Sequence, residues 1–318
     1  MTNQAETKYR IRNWAEYNRA LVNRGSLTVW FEDAAPKWRE KKRSGHKGRP
    51  RIYSDEAILC ALVLRAVYHL PLRGLQGFLQ WIFQTMCLDL PIPCYTRICR
   101  RAARIGQELQ QLTTRRPTDI VFDSTGVKVY GEGEWKVRQH GKSKRRTWRK
   151  VHLAICPDSH EIILSELTNS QTTDAKVGQR MVEKLPKRIK RAHGDGAYDR
   201  EPFYAQLHGC GIKALVPPRR GGKLWDLNKK PWMVYRNQAI RAIIGMGNDD
   251  EARKLWKILS GYHRRSLGET AMFRLKKLFG DDFRSRELRR QKAELYAKSI
   301  ALNKMTRLGM PCGQWVGA

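Results

Sequence analysis

The apolar and polar positions divide the chain into a helical first third and a remainder in which strands and helices alternate. Ser54 is suited to cap a helix, Asp55 and Glu56 suit its first turn, and the apolar run that follows reaches Tyr68, just before the break at Leu70 to Leu72. A second helix is predicted from Leu72 to about Met86. A third is predicted from about Tyr95 to Ile105, after the breakers in LPIPC, and it carries Arg97, Arg100, Arg101 and Arg104. Short helices, tight joints and a basic last helix predict an all-α, helix-turn-helix-like DNA-binding region over 53–112. Any small helical domain with one basic face would share this pattern.

Past the basic linker from Thr113 to Thr118 the period changes. DIVFDSTGVKVYG alternates and is rich in β-branched residues, and WRKVHLAIC and EIILSELT flank a turn at Pro157 to His160. A helix from about Asp174 to Leu185, a short strand in IKRAHGDGAYD, a helix in REPFYAQL and a strand in GIKALVPP follow. Three strands, helix, strand, helix, strand is the order of a ribonuclease H-like core, which makes the expected class α/β, a mixed sheet with flanking helices over 118–285. A basic loop with Trp225 and Trp232 leads to a long helical region from about Glu251, and a last helix, Arg286 to about Asn303, lies in a closing segment, 286–318. Trp38 to Arg51 is polar, basic and poor in apolar residues, so residues 1–52 are expected to form a basic arm. Its Gly48-Arg49-Pro50-Arg51 resembles the tripeptide of AT-hook segments, with Arg49 and Arg51 suited to a narrow minor groove; an ordinary solvated linker fits the same residues.

Composition sharpens this division. With 62 Lys and Arg against 30 Asp and Glu among 318 residues, the net charge is +32 and the pI about 10.3, spread along the whole chain. A polyanion is the expected partner, and nucleic acid fits better than a membrane, whose peripheral proteins concentrate basic residues on one helix. A ribosome-associated or merely basic protein is the plainer alternative. The start lacks a secretory pattern, and the longest apolar run, Ala57 to Leu64, is far shorter than a span; a cytoplasmic, nucleoid-associated protein is expected. Seven cysteines form no CxxC pair and no zinc-finger spacing, as for idle thiols in a reducing compartment.

Three carboxylates stand out by position. Asp123 lies within the first strand of the core, Asp195 follows a strand between Gly194 and Gly196, and Glu269 falls in the late helical region. Carboxylates at such places in a basic protein are either neutralised by arginine or hold metal. Two Mg²⁺ or Mn²⁺ ions about 3.5 to 4 Å apart would serve in-line phosphoryl transfer. Tyr262, Arg265, Glu269 and Lys276 are spaced three, four and seven apart, which at about 100° per residue puts them on a stripe of about 60° on one helix face. An aromatic ring and two cations beside a metal ligand suit a DNA end. An ordinary amphipathic helix with an Arg265–Glu269 pair has the same spacing.

That spacing, Tyr262-x2-Arg265-x3-Glu269-x6-Lys276, resembles the Tyr-Arg-Glu-Lys signature of bacterial insertion-sequence DDE transposases. DSTGVKVYGEGEWKVRQHG, SKRRTWRKVHL, HGDGAYD and SGYHRRSLGET, with GRPRIYSDEAI and LPLRGLQGFL before them, resemble the insertion-element family numbered five over nearly the whole chain. The resemblance implies that Asp123 and Asp195 match the two catalytic aspartates and Glu269 the catalytic glutamate. It also implies that Tyr262, Arg265 and Lys276 contact the terminal DNA backbone. It implies cleavage at terminal inverted repeats and joining of the 3′-hydroxyl to target DNA; bringing two ends together requires at least two active sites, for which a homodimer on DNA is the simplest answer. Rivals are a metal-dependent endonuclease on the same core and a non-catalytic regulator derived from a transposase. His193 is more simply structural, and Asp199 is expected to cap the REPFYAQL helix. Glu251, Glu287 and Glu294 lack such neighbours. Lys142 to Lys150, with Lys144, Arg145, Arg146 and Trp148, forms a basic hairpin that grips DNA or is simply solvated.

Overall fold

The computed structural model describes residues 8–40, 51–105, 112, 116–129 and 148–316. The short strand β1 (Lys8–Ile11) pairs antiparallel with β8 (Gly313–Val316). Between them lie α1 (Trp14–Asn23), α2 (Leu27–Phe31), α3 (Asp55–Val67), α4 (Leu72–Thr85) and α5 (Tyr95–Ala102), then the strands β2 (Asp119–Val129), β3 (Trp148–Ile155) and β4 (Ile162–Asn169). The chain continues as α6 (Asp174–Glu183), β5 (Arg191–His193), α7 (Glu201–Gly209), β6 (Lys213–Leu215), α8 (Val234–Gly245), α9 (Asp250–Leu259), α10 (Ser266–Phe279), β7 (Asp282–Phe283) and α11 (Leu288–Leu308). No single helix among the described residues is long and apolar enough to cross a membrane.

The larger sheet is mixed, in the order β4-β3-β2-β5-β6, with β7 also on β2. β2, β3 and β4 are antiparallel neighbours, and β5 and β6 run parallel to β2. The three strands, helix, strand, helix and strand expected from the sequence are all present in that order. β2 is the longest strand and pairs with two others on the same side. It meets β5 at residues 119–121 and β7 at residues 128–129. The stretch between them forms a notch in the sheet, and Asp123 lies in it.

Alternation along the strands builds two cores. Ile120, Phe122, Ala154 and Leu164 face α6 and α7, where Phe203 and Tyr198 stack against Phe122. Val127, Val151, Leu153 and Ile162 face the other way and join a larger cluster supplied by α3, α4, α5, α10 and α11. The segments 53–112, 118–285 and 286–318 all contribute residues to this larger cluster, while the first cluster lies wholly within 118–285. α11 runs through this core, and Asn303 on it fixes the edge strand. Its Oδ1 accepts from the Ile162 amide at 2.8 Å and its Nδ2 donates to the Ile162 carbonyl at 2.8 Å.

Several expectations need correction. Residues 8–40 are not an arm: Trp30, Phe31 and Trp38 are buried, and Phe31 and Trp38 pack on Phe83. The polarity of the following residues hid these three apolar anchors. The loop bearing Trp225 and Trp232 contains most of α8, whose inward face includes Arg236 and Asn237 in place of apolar residues and so shows no hydrophobic period. The long helical region from Glu251 is broken at Gly261, which adopts the left-handed conformation at φ +70°, so Tyr262–Arg265 form a 3₁₀ turn ahead of α10. Asp199 does not cap α7, whose N-cap is Arg200. Its carboxylate accepts from Arg236 Nε at 2.8 Å, the Tyr204 hydroxyl at 3.1 Å and the Arg219 amide at 2.9 Å.

Candidate active site

The site forms where α10 crosses the notch in β2. Gly268 makes the crossing close, since a methyl group there would lie 3.0 Å from both Asp123 Cβ and Val121 Cγ1. Asp123 comes from the strand and is 6% exposed. Asp195 comes from the bend after β5, where its Oδ1 accepts from the Ala197 amide at 2.9 Å and so fixes the carboxylate just beyond the strand's end. Glu269 comes from the first turn of α10. Three carboxylates from three elements meet at one cation: Arg265 lies 3.1 Å from Asp123 Oδ1 and 3.6 Å from Asp195 Oδ2, and it also pairs with Glu269.

Burial pushes the Asp123 carboxyl above its ordinary value. Arg265 opposes that shift, and Asp195 and Glu269 add to it. The Tyr262 hydroxyl is pushed up to about 12, mainly by burial, with Arg265 opposing and the three carboxylates reinforcing the rise. Its ring packs against Trp256 at 6.0 Å between centroids. Lys276 Nζ donates to Thr125 Oγ1 at 2.7 Å, one alternation along β2 from Asp123. All six signature positions thus lie about this crossing, although Tyr262 and Arg265 sit on the 3₁₀ turn and not on a common helix with Glu269 and Lys276.

Among the described residues, no three histidine, cysteine, aspartate or glutamate side chains are already arranged to hold a metal ion. The chemistry of the donors nevertheless fits a hard divalent cation. Their oxygens converge on positive charge, and the buried Asp123 is ionised at least cost when a cation stands beside it. Arg265 supplies that charge in this conformation.

A second cluster lies behind the first and escaped sequence reasoning. Asp119, only 1% exposed, takes two hydrogen bonds from Arg191, at 2.8 and 2.6 Å, and one from Arg264 Nη1 at 2.6 Å; Arg264 also pairs with Asp158. Arg264 and Arg265 therefore point to different carboxylates from one turn. Arg264 ties the turn to the sheet, and Arg265 enters the site. Nothing in the spacing of the two arginines distinguishes them. His193 is buried beside this cluster with neither ring nitrogen hydrogen-bonded, and burial pushes it down to about 4.

The other expected DNA-contacting residues are dispersed. Arg49, Lys144, Arg145 and Arg146 lie outside the described residues. Trp148 begins β3 and is 39% exposed, its ring beside Gly126. Arg51, Arg97 and Arg100 are exposed, whereas Arg101 turns inward to the Tyr53 carbonyl and Asp55 and is not free to reach DNA. Its orientation follows from Asp55 standing across from it at the start of α3.

Comparison with known proteins identifies the family. Residues 22–132 and residues 114–304 each match a family described as a transposase DDE domain. A cryo-EM structure of a piggyBac transposase synaptic complex with hairpin DNA aligns over 94% of this chain and 84% of that one, at 10% identity and a TM-score of 0.27. The match over 114–304 takes in more than half of the chain, with Asp123, Asp195 and Glu269 all inside it, so the protein belongs to the DDE transposases, enzymes that cleave and transfer DNA strands.

Proposed function

We propose that Asp123, Asp195 and Glu269 are the catalytic triad of an insertion-element transposase, of the bacterial family numbered five, and that they hold two Mg²⁺ or Mn²⁺ ions. The observation that carries this reading is the convergence of the three carboxylates, from a strand, a bend and a helix, on the single guanidinium of Arg265. Bound ions would activate the attacking oxygen and stabilise the leaving one. The residues around them prepare the DNA end. Lys276 and Arg265 supply positive charge for its phosphates. Tyr262, kept neutral by burial, donates a hydrogen bond or offers its ring to a base.

The strand order supports a ribonuclease H-like catalytic core over 118–285. The chain bends by 108° between α3 and α4, and α5 packs on both, which supports a helix-turn-helix-like unit over 53–112 that recognises terminal inverted repeats. Two ends must be handled together, so the working form on DNA is a homodimer acting in the cytoplasm at the nucleoid.

The test is strand transfer in vitro. Purified protein is given a duplex ending in the element's inverted repeat, a supercoiled target and Mg²⁺ or Mn²⁺. Asp123→Asn, Asp195→Asn and Glu269→Gln are each expected to lower joining by about three orders of magnitude or more. Cleavage without joining would favour the endonuclease, and specific binding with no chemistry would favour the regulator.

A further inference from the structure

A groove of about 510 Å³ opens between α5 and the segment at 51–53, well apart in sequence from the catalytic residues. Five arginines line it, Arg51, Arg97, Arg100, Arg101 and Arg104, and no aspartate or glutamate among the described residues does. On α5 and the turn that follows, positions 97, 100, 101 and 104 fall within about 100° of one another around the helix axis. The opposite face is spent on the core through Ile98 and Ala102. Arg101 is the inward member of the set, neutralised by Asp55. The other four guanidiniums, gathered in one concave surface, repel one another, and concave walls raise the local potential further. Such a surface is matched by an anion with several oxygens in a row. Planar guanidiniums, with paired donors, suit phosphate better than they suit scattered carboxylates.

The shape argues against reading of bases. A recognition helix enters the major groove as a convex edge. Here the arginines look into a hollow whose wall is pinned, because the Tyr53 hydroxyl donates to the Ile92 carbonyl at 2.9 Å. A hollow receives a ridge, and the ridge of a duplex is its sugar-phosphate backbone.

We propose that this groove grips duplex DNA by its phosphates, independently of sequence, with Arg97, Arg100 and Arg104 as the gripping residues. The proposal rests on the reading of this chain as a DNA-handling transposase, but it assigns α5 a different task from the end recognition suggested for its region. Backbone contacts fix register without carrying sequence information, so this groove serves whatever DNA lies in it, end, flank or target.

The experiment measures binding of the full chain to two duplexes, one ending in the inverted repeat and one of scrambled sequence, across a range of salt. Each phosphate contact contributes about 0.9 to the slope of log affinity against log salt. The triple variant Arg97→Gln, Arg100→Gln, Arg104→Gln is expected to lose about 2 to 3 from that slope and to weaken on both duplexes by the same factor. The corresponding triple lysine variant keeps the charge and is expected to keep the slope. Cys94 is an exposed thiol lining the same groove, held below its ordinary value by hydrogen bonds from Thr96 and the Arg97 amide. Its alkylation by a maleimide should therefore slow when either duplex is bound. An unchanged slope, no protection of Cys94, or a loss confined to the inverted-repeat duplex would each overturn the proposal. Strand transfer by the wild-type protein is scored on the same preparations: no joining by a wild type whose salt slope exceeds that of the triple glutamine variant counts against the transposase reading and leaves the groove standing.

Discussion

At the scale of single residues, Arg265 is the counter-charge on which the candidate site depends. Without it Asp123, Asp195 and Glu269 would face one another unneutralised, with Asp123 out of water. Arg265→Ala should lower the stability of metal-free protein by about 2 to 4 kcal/mol. Mn²⁺ should then raise its melting temperature more than it raises that of the wild type, because the ion replaces the missing charge. Equal shifts in the two proteins would remove Arg265 from this role. His152 offers a separate test on the other side of β3. Burial holds its imidazole below the ordinary value of 6.5, against the pull of Asp174, while Lys150 and Arg180 push the same way as burial. A histidine whose folded value is depressed contributes stability that is complete above about 6.5 and is lost as pH falls below it. The urea midpoint should therefore drop between pH 7 and pH 5, and His152→Gln should flatten that drop. The six positions were singled out by residue type, place and spacing together with the family resemblance, since spacing survives whatever the backbone does between them. The inward turn of Arg101 and the Arg264–Asp119 pair were not legible, because each depends on a partner 46 or 145 residues away.

At the scale of elements, the crossing of α10 over β2 sets the site's dimensions. Gly268 is a contact point where a single methyl decides the separation of strand and helix at Asp123. Gly268→Val should cost about 1 to 3 kcal/mol of stability through overpacking. It should reduce strand transfer by tenfold or more while far-ultraviolet circular dichroism stays close to wild type. Normal activity in a folded Gly268→Val protein would show that the crossing tolerates more space than its geometry implies. Strands β2 to β6 and the helices α3, α4, α6 and α7 were readable because each carries an apolar run or period and a recognisable boundary, whereas β1, β7 and β8 were not expected. α8 was not, since Arg236 and Asn237 occupy inward positions and satisfy Asp199 and the Trp225 backbone there. The break at Gly261 was hidden for a related reason: apolar spacing continues across it.

At the scale of the molecule, α11 decides how the parts hold together. It contributes Ala293, Leu295, Ala297, Ala301 and Leu302 to the core shared with α3, α4 and α10, and Asn303 locks it to the edge of the sheet. Asn303→Ala leaves the buried polar groups at Ile162 without partners and should cost about 2 to 4 kcal/mol, read as a lower denaturant midpoint. A change within about 0.5 kcal/mol would mean that water takes over both bonds. This joining of regions was not legible in the sequence. A segment's period reports that it has an apolar face and does not say which distant face covers it.

The late position of α11 also governs how the protein comes into being at the ribosome. While residues before 288 are being synthesised, the apolar sides of α3 and α4 and the outer face of the sheet have no cover, and the nascent chain must be held from sticking to itself or to its neighbours. β1 waits even longer, since its pairing strand β8 is some three hundred residues downstream. Competence to cut DNA therefore waits on α11, which completes the shared core. An interrupted polypeptide carrying Asp123, Asp195 and Glu269 but lacking α11 would be a substrate for proteases before it could be a nuclease.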